Sequence, residues 1–117
     1  MYTLTISGHF DAAHHLPGVE VCCNPHGHTW QVEVVICSES LNDNMMVVDF
    51  RKVKDTWKSF DHKDLNTILA MPTAEAIAHN LFHRLVSIVS PAVVKEVSVW
   101  ESPDSRVTYT GEENYNR

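Results

Sequence analysis

The sequence predicts an α+β domain in which four strands form an antiparallel sheet and two helices cover one of its faces. Two patterns support this prediction. Residues 29–37 alternate between apolar and polar side chains, as in a half-buried strand, and apolar residues recur at helical spacing over residues 73–89. The predicted elements follow one another in the order ββααββ. With 117 residues, the chain is expected to form a single domain.

The predicted strands are rich in β-branched residues. The first covers residues 3–10 and the second residues 29–37, and the last two cover residues 93–101 and 106–110. The polar tail, residues 111–117, is expected to be loose. A small sheet has two exposed edges, so we expect these edges to pair with other copies of the chain. One face of the second strand carries Trp30, Val32, Val34 and Ile36.

Residues typical of helix starts mark both predicted helices. Asp49 is placed to cap a helix over residues 50–60, and Pro72 and Thr73 precede a helix that continues to Val89. The predicted core-facing sides consist of Phe50, Val53, the stem of Lys54, Trp57 and Phe60 in the first helix, and of Ile77, Ala78, Leu81, Leu85 and Ile88 in the second.

The composition indicates a globular protein that does not bind nucleic acid. The chain is 44% hydrophobic and has a net charge of −6, so it lacks the basic face that phosphates require. Its first residues do not resemble a signal peptide, and no stretch is long enough for a membrane helix. Three cysteines, with Cys22 and Cys23 adjacent, do not fit a disulfide framework. We therefore expect a cytoplasmic protein with free thiols.

The sequence His-Gly-His at residues 26–28 begins the second strand, so its two imidazoles point to the same side. Gly27 leaves the opposite side clear. His14 and His15 lie near the end of the first strand, where they can meet this pair. Three neutral imidazoles with an open fourth position form a catalytic zinc site, whereas a fourth protein ligand makes a zinc site structural. The alternative is that His14 and His15 are loop residues in contact with solvent.

The sequence around the other histidines points less clearly to metal binding or catalysis. His79 and His83 are four residues apart on the second helix, opposite its apolar stripe, and are expected to face water. His9 has no partner by spacing and is interpreted as structural. His62 follows Asp61 in an irregular segment between the helices. A carboxylate beside an imidazole fixes its tautomer and raises its basicity, although such a pair also occurs as a helix cap.

Six short motifs occur in the same order as in one known family. From about residue 4 to residue 110, the chain resembles the 6-pyruvoyl-tetrahydropterin synthase and 6-carboxytetrahydropterin synthase family. The resemblance implies the tunnelling fold, or T-fold, in which trimers close a twelve-stranded antiparallel barrel and two trimers stack into a hexamer with active sites at subunit interfaces. The motifs are FDAAHHL (10–16), C-x-x-x-HGH (22–28), VVDF (47–50), FDHKDLN (60–66), PTAEAIA (72–78) and VWES (99–102).

The resemblance implies a zinc ion held by three histidines. His14, His26 and His28 match the family's zinc ligands, whereas His15 does not match a ligand. Zinc would acidify the substrate's hydroxyl groups and the neighbouring C–H bonds.

The resemblance also implies the catalytic and binding residues. Cys22 matches the catalytic cysteine, whose thiolate would act as a base, and Asp61 with His62 matches a second acid/base pair. Glu101 matches the glutamate that anchors the pterin ring, because a carboxylate can accept two of its adjacent N–H groups. Thr73 is expected to contribute to the same pocket.

By this resemblance, the substrate is 7,8-dihydroneopterin triphosphate. The short gap between Cys22 and the His-Gly-His is typical of 6-carboxytetrahydropterin synthases, which release acetaldehyde and triphosphate and supply the synthesis of 7-deazaguanine and queuosine. The alternative product is 6-pyruvoyl-tetrahydropterin, formed by elimination of triphosphate from the same substrate.

A further alternative is a binding module without catalytic activity. In it, Cys22, Cys23, His26 and His28 would form a structural zinc knuckle, and loss of the cysteines would remove both zinc and fold. Neighbouring side chains diverge on a strand, so a Cys-Cys pair suits one tetrahedral metal poorly. Cys23 also departs from the family, which more often has a small or polar residue there.

Overall fold

The structure, a computed structural model, describes residues 1–20 and 23–111. Within these residues the strands are β1 (Tyr2–His14), β2 (His26–Ser38), β3 (Lys63–Asp64), β4 (Val93–Ser102) and β5 (Ser105–Tyr109). The helices are α1 (Phe50–Lys58), a short 3-10 helix (Leu65–Thr67) and α2 (Ala74–Val89). All the predicted strands and helices are therefore present. The predicted loose tail lies, apart from Gly111, outside the described residues.

The strands form one mixed sheet in the order β3-β1-β2-β4-β5. Strands β1, β2, β4 and β5 pair antiparallel, as predicted, whereas β3 runs parallel to β1 beside Ala12 and Ala13. The predicted sheet of four antiparallel strands thus lacked a fifth, parallel strand. A two-residue strand has no periodic pattern of its own. What places it is a contact just before it, where the His62 N–H donates to the Asp11 carbonyl at 2.6 Å.

β1 and β2 continue past their predicted bounds as a single long pair. Their register sets Phe10 opposite Trp30 and ends with His14 opposite His26. The aromatic rings of Phe10 and Trp30 stack with their centroids 6.0 Å apart. The paired strands therefore place the histidines directly beyond the end of the packed core.

The core lies between the sheet and the two helices. The predicted apolar face of β2 is confirmed, because all four of its side chains are fully buried. They join one apolar cluster with residues from both helices and from β4. The helices thus cover one face of the sheet and leave the opposite face of β1 and β2 largely polar.

The core-facing side of α1 differs in part from the prediction. Val53, Trp57 and Phe60 are buried as expected. Phe50 is 53% exposed, and Lys54 is also exposed. Phe50 is the first residue of α1, and it lines an open groove beside the β2–α1 loop rather than the core.

The end of α2 also differs from the prediction. The helix begins after Thr73, as expected, and the Thr73 hydroxyl caps it by accepting the Ala76 N–H at 3.1 Å. Ile88 is 38% exposed, whereas Val89 is buried. A step of four residues from the buried Leu85 reaches Val89, so the stripe continues there. Among the described helices, none is both long and apolar enough to span a bilayer.

Gly8 allows α1 to approach the sheet closely. It lies on the inner side of β1, where a Cβ atom would meet indole atoms of Trp57 at 2.7 Å. Such a distance is well inside van der Waals contact, so any side chain at this position must displace Trp57 or the helix that carries it.

We expect Gly8→Ala to lower the free energy of unfolding by about 1–3 kcal/mol, because overpacking strains a dense core. Gly27→Ala is the matched control, since a Cβ at Gly27 meets no atom within 4 Å. Urea unfolding of both variants measures the difference. Equal stability of the two variants would contradict the close contact between Gly8 and Trp57.

Candidate functional site

Three histidines meet at the end of the β1–β2 pair, on the inner face of the sheet. His14 lies opposite His26, and Ala12 lies opposite His28. Because side chains alternate along a strand, His14 shares the face of Phe10 and Ala12. His26 and His28 share the face of Trp30 for the same reason. The alternation that builds the core thus also gathers the imidazoles.

The three imidazoles are in mutual contact. Their ring centroids are separated by 4.6 Å for His14 and His26, 5.1 Å for His14 and His28, and 4.8 Å for His26 and His28. Trp30 lies beneath them, with its ring 4.9 Å from His14 and 5.4 Å from His28. His14 is fully buried, while the other two are half-buried.

Backbone carbonyls fix the orientation of two rings. His14 Nδ1 is 2.8 Å from the Pro72 carbonyl oxygen, and His26 Nδ1 is 2.8 Å from that of Asn24. A carbonyl oxygen only accepts, so each Nδ1 must carry the proton. In the neutral rings the Nε2 lone pairs are therefore free, which is the arrangement that metal-binding histidines adopt.

Glu101 at the end of β4 completes this group. Its Oε1 lies 3.0 Å from His28 Nε2 and 3.4 Å from His14 Nε2, and the carboxylate is 33% exposed. Neither buried Nε2 has a hydrogen-bond partner among the described residues. The ligand atoms of His14, His26, His28 and Glu101 all lie within 4.8 Å of one another.

This group fits a bound cation. Burial lowers the pKa of His28 below its ordinary value of 6.5; the Glu101 carboxylate opposes this change, and His14 and His26 add to it. His14, whose Nδ1 carries the proton, directs its Nε2 lone pair at the Glu101 carboxylate 3.4 Å away, which is unfavourable unless a positive charge lies between them. Nitrogen ligands from three imidazoles suit Zn²⁺ better than Mg²⁺ or Ca²⁺.

A second polar group surrounds His62. His62 Nδ1 lies 3.0 Å from Asp61 Oδ2, and the Asp11 backbone N–H donates to Asp61 Oδ1 at 2.9 Å. This N–H, helped by His62, lowers the pKa of Asp61 below its ordinary value of 3.8, although partial burial opposes the shift. His62 itself has a φ of 58°, in the left-handed region. The Asp61–His62 pair is therefore held in place by the backbone of Asp11.

The two groups lie on opposite faces of the sheet. The side chain of Asp11 is exposed on the outer face, where the Thr29 hydroxyl donates to it at 2.5 Å. Asp11 Oδ, Asp61 Oδ and a His62 nitrogen lie within 4.8 Å of one another, so this cluster belongs to the outer face. His28, next to Thr29 in the chain, points inward. A single copy thus presents the imidazole cluster and the Asp61–His62 pair on different sides.

Other predicted site residues lie at various distances from this centre. Cys22 lies outside the described residues. The Cys23 thiol is exposed and donates to the Glu20 carbonyl at 3.2 Å, so it is not part of the histidine cluster. Thr73 uses its hydroxyl as the cap of α2, immediately after Pro72, whose carbonyl holds His14.

The remaining histidines lie apart from the imidazole cluster. His15 contacts Asn66, whose side-chain oxygen accepts the His15 N–H at 2.9 Å. His9 is exposed. His79 and His83 are exposed, as predicted, and their ring centroids are 4.3 Å apart.

Three supporting residues were missed by the sequence interpretation. They are Asp11, Asn66 and Pro72. All three lie within the short motifs quoted above, which is a signal that could have drawn attention to them. However, Asp11 and Pro72 act mainly through backbone atoms, and backbone contacts leave no pattern of side-chain types.

Comparison with known proteins links this geometry to pterin chemistry. The family model for 6-pyruvoyl tetrahydropterin synthase matches residues 3–112. A relative from Archaeoglobus fulgidus, provisionally assigned as a 6-carboxy-5,6,7,8-tetrahydropterin synthase, is 39% identical over 103 residues, covering 85% of this chain and 87% of its own. The dihydroneopterin monophosphate aldolase of Pyrococcus furiosus is 36% identical over 97 residues, covering 79% and 82%.

Solved structures agree with the fold. The 6-pyruvoyl tetrahydropterin synthase of Caenorhabditis elegans superimposes with a TM-score of 0.76 at 27% identity, and the match covers 95% of this chain and 96% of that one.

We expect His28→Ala to lose bound zinc, because it removes one of the three imidazoles that converge. His79→Ala is the matched control, since His79 is exposed on α2 and lies outside the cluster. Zinc content after dialysis against a weak chelator, measured by atomic emission, compares the two. Retention of a full equivalent of zinc by His28→Ala would place the metal elsewhere.

Proposed function

Because the chain belongs to the 6-pyruvoyl tetrahydropterin synthase family, we propose that it is a zinc-dependent lyase that converts 7,8-dihydroneopterin triphosphate to 6-carboxy-5,6,7,8-tetrahydropterin. The reaction releases acetaldehyde and triphosphate and serves the synthesis of 7-deazapurines such as queuosine. The observation that carries the proposal is the convergence of three imidazoles and one carboxylate at the end of β1 and β2. The 39% identical relative and the short gap between Cys22 and the His-Gly-His favour this product.

His14, His26 and His28 are the proposed zinc ligands. When bound, zinc acts as a Lewis acid that makes the hydroxyl groups of the substrate side chain easier to deprotonate. The Pro72 and Asn24 carbonyls accept hydrogen bonds from Nδ1 of His14 and His26 and so fix the orientation of these two rings. Trp30 beneath the rings keeps water from one side of the centre.

Glu101 is the proposed anchor of the pterin ring. It lines a cleft of about 380 Å³ together with His28, Gln31 and Trp100. This volume lies within the range of small-molecule sites. A carboxylate can accept the two adjacent N–H groups of the pterin edge at once, which fixes the ring relative to the metal cluster. Thr73, next to Pro72, is proposed to line the same pocket.

Cys22 and the Asp61–His62 pair are the proposed acid/base groups. Cys22, four residues before His26, would remove a proton as a thiolate. Asp61 is a carboxylate at neutral pH, and its Oδ2 is placed to accept a hydrogen bond from the N–H at His62 Nδ1. This contact leaves Nε2 to exchange protons with the substrate. The orienting carboxylate fixes the tautomer that this exchange requires.

A homohexamer with active sites between subunits is the proposed assembly. His62 is 80% exposed in a single copy and lies on the face opposite to the imidazole cluster. A pair of catalytic groups so exposed excludes little water by itself. In this proposal a neighbouring subunit brings its own Asp61–His62 pair to the imidazole cluster. We propose that the assembled enzyme works in the cytoplasm on a free pterin, with neither nucleic acid nor membrane as a partner.

Two other pterin reactions are the competing assignments. One is elimination of triphosphate to give 6-pyruvoyl-tetrahydropterin, which is the activity named by the family model. The other is aldol cleavage of dihydroneopterin monophosphate, which is supported by the 36% identical Pyrococcus relative. The zinc-knuckle alternative has less support, because Glu101 rather than Cys23 joins the histidines among the described residues.

A product assay distinguishes these reactions. We expect zinc-loaded protein to convert 7,8-dihydroneopterin triphosphate to acetaldehyde and 6-carboxytetrahydropterin, both detected by mass spectrometry. A 6-pyruvoyl product without acetaldehyde would favour the elimination. Turnover of dihydroneopterin monophosphate alone would favour the aldolase. His83→Ala, an exposed substitution on α2, should leave the activity unchanged.

Mixing of inactive variants tests the shared site. Cys22→Ala and His62→Ala homo-oligomers should each be inactive. After dissociation and joint reassembly in equal amounts, we expect about a quarter of wild-type activity, because that fraction of interfaces joins an intact Cys22 to an intact neighbouring His62. Mixed assemblies that are as inactive as the parents would show that both groups act within one subunit.

A further inference from the structure

Glu101 occupies a position that its proposed role as pterin anchor does not explain. An anchor that accepts two N–H groups of the ring needs both carboxylate oxygens, yet Oε1 lies 3.0 Å from His28 Nε2 and 3.4 Å from His14 Nε2. We propose that Glu101 is the fourth protein ligand of the metal in the substrate-free enzyme and that the pterin ring draws it away. This inference rests on the proposed function and adds a step that controls access to the metal.

The donor set gives the first argument. Three imidazoles and one carboxylate form a closed set of four, which is typical of structural zinc sites. A catalytic site needs one position for the substrate. The same four residues meet both requirements at a four-coordinate zinc if one ligand is present before substrate binding and leaves afterwards.

The surroundings of each ligand identify the one that leaves. His14 is fully buried and held by the Pro72 carbonyl, and His26 is held by that of Asn24. The Glu101 carboxylate is one-third exposed, and its contacts among the described residues are those with His14 and His28. Departure of Glu101 therefore breaks no other bond in the described part of the chain.

The exposure of Glu101 lets a ring reach it. Glu101 and His28 both border the cleft beside Gln31 and Trp100. Because the carboxylate is one-third exposed, a ring that enters there can contact it and draw it away from the imidazoles. The two N–H groups of a pterin edge compensate for the lost metal contact through a pair of charge-assisted hydrogen bonds.

This exchange would protect the metal until the ring is in place. Without a pterin, the closed site excludes water and small anions. With the ring bound, the open position lies beside the substrate side chain. Binding of the ring and access to the metal are then positively linked, and the linkage can be measured without turnover.

The test uses cobalt in place of zinc in the assembled protein, with azide as the probe of an open position. We expect wild-type protein to show little change in its visible cobalt bands when azide is added. When pterin itself, which has the ring but no side chain, is added first, the same azide titration should change the cobalt bands. The pterin should thus increase the apparent affinity for azide about 10-fold or more, within the range of allosteric couplings.

Glu101→Gln removes the carboxylate and keeps its size. This variant should bind azide without pterin, and its metal affinity should fall about 10- to 100-fold, as when a metal site loses a supporting group. Glu96→Gln is the matched control, because Glu96 lies on the same strand and outside the metal cluster. It should behave as the wild type. If Glu101→Gln fails to fold, the wild-type titrations with and without pterin still decide the question.

Equal binding of azide to wild-type protein with and without pterin would overturn the proposal, as would identical cobalt bands in wild type and Glu101→Gln. Failure of the proposed function looks different. A protein that gates azide through pterin but turns over none of the substrates would support the gate and refute the lyase assignment. Turnover with ungated azide binding would refute the gate alone.

Discussion

The pairing register of β1 and β2 is the constraint on which the rest of the structure depends. The stacked rings of Phe10 and Trp30 fix this register inside the core, and His14 and His26 pair a few residues further along the same strands. A slip by one residue would turn His14 away from the core face. The same strand register therefore determines both the packing of the aromatic core and the assembly of the imidazole cluster.

β1 organises both polar groups through different atoms. On its inner face it contributes the His14 side chain to the cluster. On its outer side, the Asp11 N–H donates to the Asp61 carboxylate, and the Asp11 carbonyl accepts the His62 N–H. These two hydrogen bonds maintain His62 at a positive φ. A residue in the left-handed region costs free energy, which the two backbone contacts offset. One strand thus positions chemically distinct groups on its two faces.

The sequence predicted the positions of strands and helices and the burial of side chains better than it predicted long-range backbone hydrogen bonds. The alternation from Trp30 to Ile36 and the cap at Asp49 were correctly predicted, because each follows from local rules. The short β3 was missed, since a bond from His62 to Asp11 creates it across 51 residues. Phe50 was misplaced because it is the first residue of α1 and lies beside the β2–α1 loop, whose path helical periodicity does not encode. The convergence of His14 with the His-Gly-His was anticipated, whereas the position of Glu101 against their Nε2 atoms was not.

The full burial of His14 would tie the stability of the folded chain to the occupancy of the proposed metal site. A chain that folds without metal must enclose the Nε2 atoms of His14 and His28 without a hydrogen-bond partner among the described residues. A metal that binds only the folded chain stabilises it by mass action. Chains made during metal shortage would then unfold more often and be degraded sooner by proteases. The amount of this protein would consequently follow the metal supply of the cell, even at a constant rate of synthesis.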